Sequence, residues 1–195
     1  MDAAAVTPRM PPLEPPYSAE VQTMLQKWMP PDSGAEPLAL FRTLAHNEEL
    51  AGRMRPLGAG ILGSRATIEP LLREVMIHRT CALTGNEYEW GVHVAGFGRP
   101  LGLTEEQLAS TVHGTFGEGC WDPEQATVFR LADELHGTST ISDELWESLR
   151  AQFDERQIIE LIATAGWYHL IAYICNGLAV QREEWAPRFP PGAQS

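Results

Sequence analysis

The segment Arg73–Gly98, REVMIHRTCALTGNEYEWGVHVAGFG, sets the narrowest limits on the fold. It reads as two helices that meet at a tight polar turn. Glu74 and His78 stand four residues apart on the first helix and so share a face. Its apolar side carries Leu72, Val75, Met76 and Leu83, which places Glu74 and His78 on another side. Gly85-Asn86 interrupts the pattern. Asn86, Glu89 and His93 then recur at i, i+3 and i+7, on one face of the second helix. Two carboxylates and two imidazoles are thereby carried to one helix–helix junction. No other stretch of the chain holds such a density of proton-transfer groups.

The remainder reads as helices with legible start and stop signals. Pro8, Pro11, Pro12, Pro15 and Pro16 predict an extended arm over 1–17, free or packed on a neighbouring subunit. Ser18 suits the N-cap of a helix from Ala19 to Trp28, which Pro30-Pro31 end. Pro37 opens another, and Asn47 caps a third that runs to Leu62. Gly58 and Gly60 in that third helix predict the close approach of a neighbour. Thr104 with Gln107 and Asp154 with Gln157 are capping-box pairs, while Asp122-Pro123 and Ser142 open two further helices. The last helix, RQIIELIATAGWYHLIAYICNGL, is apolar nearly all round and predicts a buried position. Period-two alternation is absent, so the class is all-α. One domain over 18–186 accommodates these elements, with a proline-rich tail from 187 to 195. Arg73–Gly98 and Arg156–Gly177 also pair as two degenerate helical repeats. The second copy retains Tyr168 and His169 without matching acids, and reads as a structural copy.

Charge and composition exclude whole classes. A net charge of −12 disfavours nucleic acid and anionic membrane surfaces as partners. No apolar run suggests a membrane span, and the N-terminus lacks the apolar core of a secretory signal, so the expected location is cytoplasmic. Cys81, Cys120 and Cys175 are widely spaced, form no Cys-x-x-Cys and read as reduced, mostly buried thiols. No phosphate loop or dinucleotide fingerprint occurs, and the Glu and His spacings match no standard metal motif. The expected chemistry therefore needs no cofactor and no metal.

The 26 residues from Arg73 to Gly98 resemble the carboxymuconolactone decarboxylase family, which includes the alkyl hydroperoxidase D-like proteins. The family pattern is a Glu on one helix, a polar turn, then a helix bearing a His. Here Glu74 precedes Asn86 by twelve residues and Asn86 precedes His93 by seven. Where the peroxidase branch has Cys-x-x-Cys, this chain has Asn86 and Glu89, and Tyr88 falls where that branch often has a His. The decarboxylase branch has a Glu four before the His, as Glu89 stands here. The resemblance implies a hydroperoxidase D-like helical bundle that assembles as a dimer, trimer or hexamer. It also implies that Glu74 and His93 face one cavity, and that a small organic acid or lactone loses CO₂ by proton transfer.

Each candidate has a plainer reading beside this one. Glu89 three after Asn86 is nearly a capping box, yet a capping carboxylate four before His93 can also share its proton. His93 alone would suit a satisfied core histidine, and mid-helix Glu74 would suit a solvated face. Tyr88 suits either the core or a proton relay. Asn86, Trp90 and His78 complete the set as substrate-binding candidates. The competing functions are a non-catalytic oligomeric binding protein and a thiol peroxidase, the latter lacking its cysteine pair. The apolar helix 155–176 further predicts a closed homo-oligomer, unless it is the central helix of a single bundle.

Overall fold

The computed structural model describes residues 7–29 and 34–192, and among them there are helices and no strands. Helix α1, Ala19–Trp28, starts where Ser18 accepts the Val21 amide. Helix α2, Ala39–Leu44, passes through a 3₁₀ turn, Ala45–Asn47, into α3, Glu48–Leu62. The sequence suggests one helix from Pro37 to Asn47. The chain tightens at Ala45 instead, because Asn47 leaves helical geometry to cap α3 through the Leu50 amide. Helix α4 is Pro70–Leu83 and α5 is Glu87–His93. A π-helical turn, Val94–Gly98, leads into the single turn α6, Arg99–Leu101. Helices α7 (Glu105–His113), α8 (Pro123–Thr138), α9 (Asp143–Gln152) and α10 (Glu155–Leu178) follow. Reciprocal capping boxes at Thr104/Gln107, Asp122/Gln125 and Asp154/Gln157 fix three of these starts, each worth about 1 kcal/mol.

Helix α4 is the hub. It packs on α8, α10, α5 and α7, and Val75, Met76, Ile77 and Cys81 are wholly buried. The expectation that Glu74 and His78 lie on a side apart from the core fails: both are fully buried. A helix covered all round has no solvated face, so its polar residues must find partners inside. The turn after α4 follows the sequence closely, since Gly85 takes φ +64° and lets Asn86 start α5 about one turn later.

Two expectations change along α3 and α10. A Cβ on Gly58 would lie 3.0 Å from the Trp167 ring, whereas Gly60 has open space around it. Only the first glycine marks a close approach. Helix α10 is not buried on every side. Ile158, Leu161, Ala165, Tyr168, Ile171 and Cys175 face the core, but Ile159 and Tyr173 are 67% and 70% exposed, and Ile162 and Leu170 share their face. An all-apolar composition concealed which stripe meets α4. By length and composition α10 could also cross a membrane, contrary to the reading that no run suggests a span. Half of its apolar window is packed against the rest of the chain.

The two terminal segments join this packing. Among residues 7–17, the Arg9 amide donates to Leu178 O, the Leu13 amide to Arg42 O, and His46 meets Pro11 O. The remainder of the predicted arm, 1–6, lies outside the described residues. The C-terminal stretch 183–192 crosses α5: the Phe189 amide donates to Glu87, the Phe189 ring packs on Trp90, and His113 meets Pro190 O. Gly91 makes this crossing possible, because a Cβ there would overlap the Pro187 carbonyl. Replacing Gly91 by alanine should therefore cost about 1–3 kcal/mol and speed proteolysis of the tail, as read by urea unfolding and limited digestion.

Candidate active site

Helices α4, α5 and α10 each contribute a side chain to one buried chain of hydrogen bonds. From α4, Glu74 Oε2 lies 2.9 Å from His93 Nδ1 at the end of α5. On the other side of the ring, Nε2 lies 2.8 Å from the Tyr168 hydroxyl of α10. With the Nδ1 proton donated to the Glu74 carboxylate, Nε2 accepts the phenol O–H, so each ring nitrogen has a hydrogen-bond partner. Glu89, one turn before His93, brings Oε2 to 3.6 Å from the same Nε2. Glu74, His93 and Tyr168 are at most 3% exposed, and Glu89 is 6% exposed.

Burial and charge act in opposite senses on these groups. Burial disfavours a charged Glu74, but His93, His78 and Arg73 together hold its carboxyl below the usual range. Burial likewise disfavours an imidazolium at His93, yet the carboxylates of Glu74 and Glu89 raise it above its ordinary value. Glu89 goes the other way. Burial pushes it up, and its neighbours Glu74 and Glu183 add to the rise against the pull of His93. The pair of acids thus divides into one held ionised and one that keeps its proton more readily, around a single imidazole.

The surroundings explain the other sequence candidates. His78 sits beneath Glu74 with Nδ1 2.7 Å from the Glu74 backbone oxygen, and burial pushes its pKa down to about 4. Its Nε2 has no partner, and Gly98 supplies the room for its ring, since a Cβ would come within 2.9 Å. Asn86 Oδ1 caps α5 through the Glu89 amide. Tyr88 is buried, but its hydroxyl donates to Glu183 Oε1 at 2.7 Å and accepts the Leu40 amide, so its polar atom is engaged away from His93. Trp90 donates its indole N–H to Thr111 and turns to Phe189. Glu74, Glu89 and His93 therefore come together, His78 and Asn86 support them from behind, and Tyr88 and Trp90 hold other elements.

The phenol beside His93 is Tyr168. The sequence held one hint of it, the Tyr-His pair in the second half of the possible repeat, but periodicity cannot say that α10 lies against α5. Glu183 was equally out of view, because it lies in an irregular stretch beyond α10. Phe97, half-buried in the π-helical turn, stacks on the His93 ring with centroids 5.0 Å apart and planes at 26°. A π-helical turn directly after a polar cluster is a frequent companion of functional sites.

No family model matches the chain, and no curated protein matches it either. Solved structures do. An uncharacterised peroxidase-related protein from Silicibacter sp. superposes with a TM-score of 0.76 at 18% identity, over 97% of this chain and all of that one. A cysteine-to-alanine variant of the debrominase Bmp8, in complex with 2,3,4-tribromopyrrole, gives 0.75 at 13% identity, over 93% of this chain and 95% of its own. A protein of unknown function from Agrobacterium tumefaciens, described as a putative antioxidant defence protein AhpD, gives 0.65 at 17% identity, over 72% and 94%. An all-helical chain that matches these structures over most of its length has the alkyl hydroperoxidase D-like fold.

Proposed function

We propose that the protein is a cofactor-free acid–base enzyme acting on a small organic acid or lactone, in the manner of the carboxymuconolactone decarboxylases. The single observation that carries this reading is the buried chain Glu74–His93–Tyr168, with Glu89 beside the same imidazole nitrogen. A structural histidine has no need of a carboxylate on one nitrogen and both a phenol and a second carboxyl at the other. Enzymes that move protons to carbon do, since they must hold a proton near neutral pH and aim it. In the proposed step the substrate C–CO₂⁻ bond breaks, CO₂ leaves, and the electron pair passes into the conjugated carbonyl. His93 Nε2–H then delivers a proton to carbon. Glu74 stabilises the imidazolium, Glu89 returns a proton to Nε2 with Tyr168 as relay, and Glu89 is reprotonated from water. A debrominase with a brominated pyrrole on the same fold is consistent with a small unsaturated ring as substrate.

The test is incubation with candidate carboxylated lactones in D₂O. The expected result is release of CO₂ with deuterium at the former carboxyl-bearing carbon, abolished in His93→Gln. Binding of the same ligands with no CO₂ release and no exchange at carbon would favour a binding protein instead.

A thiol peroxidase requires an accessible thiolate. Burial pushes the Cys81 and Cys175 thiols well above their usual range, and the sequence resemblance sets Asn86 and Glu89 where the peroxidase branch has its cysteines. A protein with Cys81, Cys120 and Cys175 all replaced by alanine should keep more than about half of its turnover once folded. Loss of turnover in the folded Cys81→Ala protein alone would count against the acid–base reading. The exposed stripe Ile159, Ile162, Leu170 and Tyr173 is further proposed to pair with another copy of the chain. Light scattering should then give a multiple of 21.6 kDa rather than one chain mass.

A further inference from the structure

A second group of polar side chains lies outside the site just described. His136, on the last turn of α8, and His169, on α10, meet at the wall of a cavity of about 360 Å³. His136 Nδ1 and His169 Nε2 are 3.0 Å apart. His169 Nδ1 lies 2.9 Å from the Ala165 carbonyl, which can only accept, so that nitrogen carries the proton. It follows that His169 Nε2 presents a lone pair to the cavity and that His136 Nδ1–H donates to it. His136 is exposed, while His169 is half-buried and held by its bond to Ala165.

The walls of this cavity are rich in acceptors. Leu83 and Thr84 at the end of α4, and Leu135, His136 and Ser139 at the end of α8, line it together with Tyr173 and Asn176 of α10. Two helices thus point their carbonyl ends at one space, and such ends carry partial negative charge. Thr84 and Ser139 add hydroxyl oxygens. The nearest full charges, Asp133 and Arg79, are ion-paired with each other at 2.6 Å and leave the balance unchanged. Asn176 spends an amide N–H on the Thr84 carbonyl, and a cation that prefers imidazole nitrogen finds both a ligand and a favourable field.

We infer that His136 and His169 form a two-histidine clamp for a divalent transition-metal ion of the zinc, nickel or copper class. Imidazole suits these ions, and a ligand histidine characteristically donates its other N–H to a backbone carbonyl, as His169 does to Ala165. Two nitrogens bound at ~2.0–2.1 Å to a tetrahedral ion stand about 3.3 Å apart, a few tenths of an ångström beyond their present separation. The ion takes the place of the shared proton: His136 moves its N–H to Nε2 and offers Nδ1, with no net proton released. Among the described residues no third His, Cys, Asp or Glu completes a cluster, so water fills the remaining positions. The clamp ties the C-terminal end of α8 to the middle of α10, the helix that also carries Tyr168.

Titration of the full chain with Zn²⁺, and separately with Ni²⁺, at about pH 7.5 tests this. The expected result is about one bound equivalent, with affinity reduced about tenfold or more in His136→Gln and in His169→Gln and unchanged in His113→Gln. His136 is exposed, so its variant remains folded and interpretable on its own. Absence of saturable binding, or binding that survives both substitutions, would overturn the site. Neither result bears on Glu74 and His93, which lie in a separate cluster.

Discussion

Replacing His93 by glutamine should lower kcat by about 10²–10⁴-fold while leaving the fold intact, the range typical for loss of a positioned general acid or base. Glutamine can still donate to Glu74, so the helices stay joined while the titrating group is gone. The pH dependence separates this role from mere packing. In the proposed step the His93 imidazolium is the proton donor, and Glu74 raises its pKa above the ordinary value. Turnover should therefore fall as pH rises through that raised pKa. Glu74→Gln removes the anion that sustains it, so the basic limb should shift to lower pH. Tyr168→Phe should cost about tenfold in kcat, the worth of one buried hydrogen bond, without moving that limb as far. Measured kcat against pH for the wild type and these variants decides the matter. A His93→Gln enzyme with more than about a tenth of wild-type turnover would remove His93 from the proton transfer.

Much of this site was written locally. Glu74 falls one turn before His78, and Asn86, Glu89 and His93 share a face by spacing alone, so their gathering at the α4–α5 turn needed only the break at Gly85-Asn86. Helix starts were legible for the same reason: a capping box is a contact between residues three apart. Long-range choices were not. That α4 is covered on every side, which buries Glu74 and His78, depends on α7, α8 and α10 folding around it. Tyr88 offered a phenol at the right sequence distance, but its side chain points at Glu183, 95 residues on. Tyr168 supplies the phenol from 75 residues away, on a helix whose uniform apolarity gave no sign of which stripe faces inward. Residues bound to their own helix were readable, and residues selected by packing between helices were not.

The second large expected effect concerns stability rather than turnover. His78 is wholly buried, donates Nδ1–H to the Glu74 backbone carbonyl, and leaves Nε2 without a partner. Burial brings its folded-state pKa down to about 4 from an ordinary 6.5. As pH falls below 6.5 the unfolded chain takes up a proton at this position and the folded chain does not, so stability is lost progressively down to pH 4. The depression corresponds to about 3 kcal/mol. Other groups contribute with their own signs. The depressed Glu74 holds its contribution above its unfolded pKa and loses it only at more acid pH, whereas the raised His93 and Glu89 contribute most at low pH and lose it as pH rises. A difference between two proteins cancels most of these, since His78 acts on Glu74 less than His93 does. Leucine matches the imidazole in bulk and cannot titrate, and the Glu74 carbonyl keeps its ordinary α-helical amide partner. Between about pH 7.5 and about pH 4, urea unfolding should show the stability gap moving in favour of His78→Leu by about 3 kcal/mol. Parallel stability curves for the two proteins would mean that His78 is not held neutral beneath Glu74.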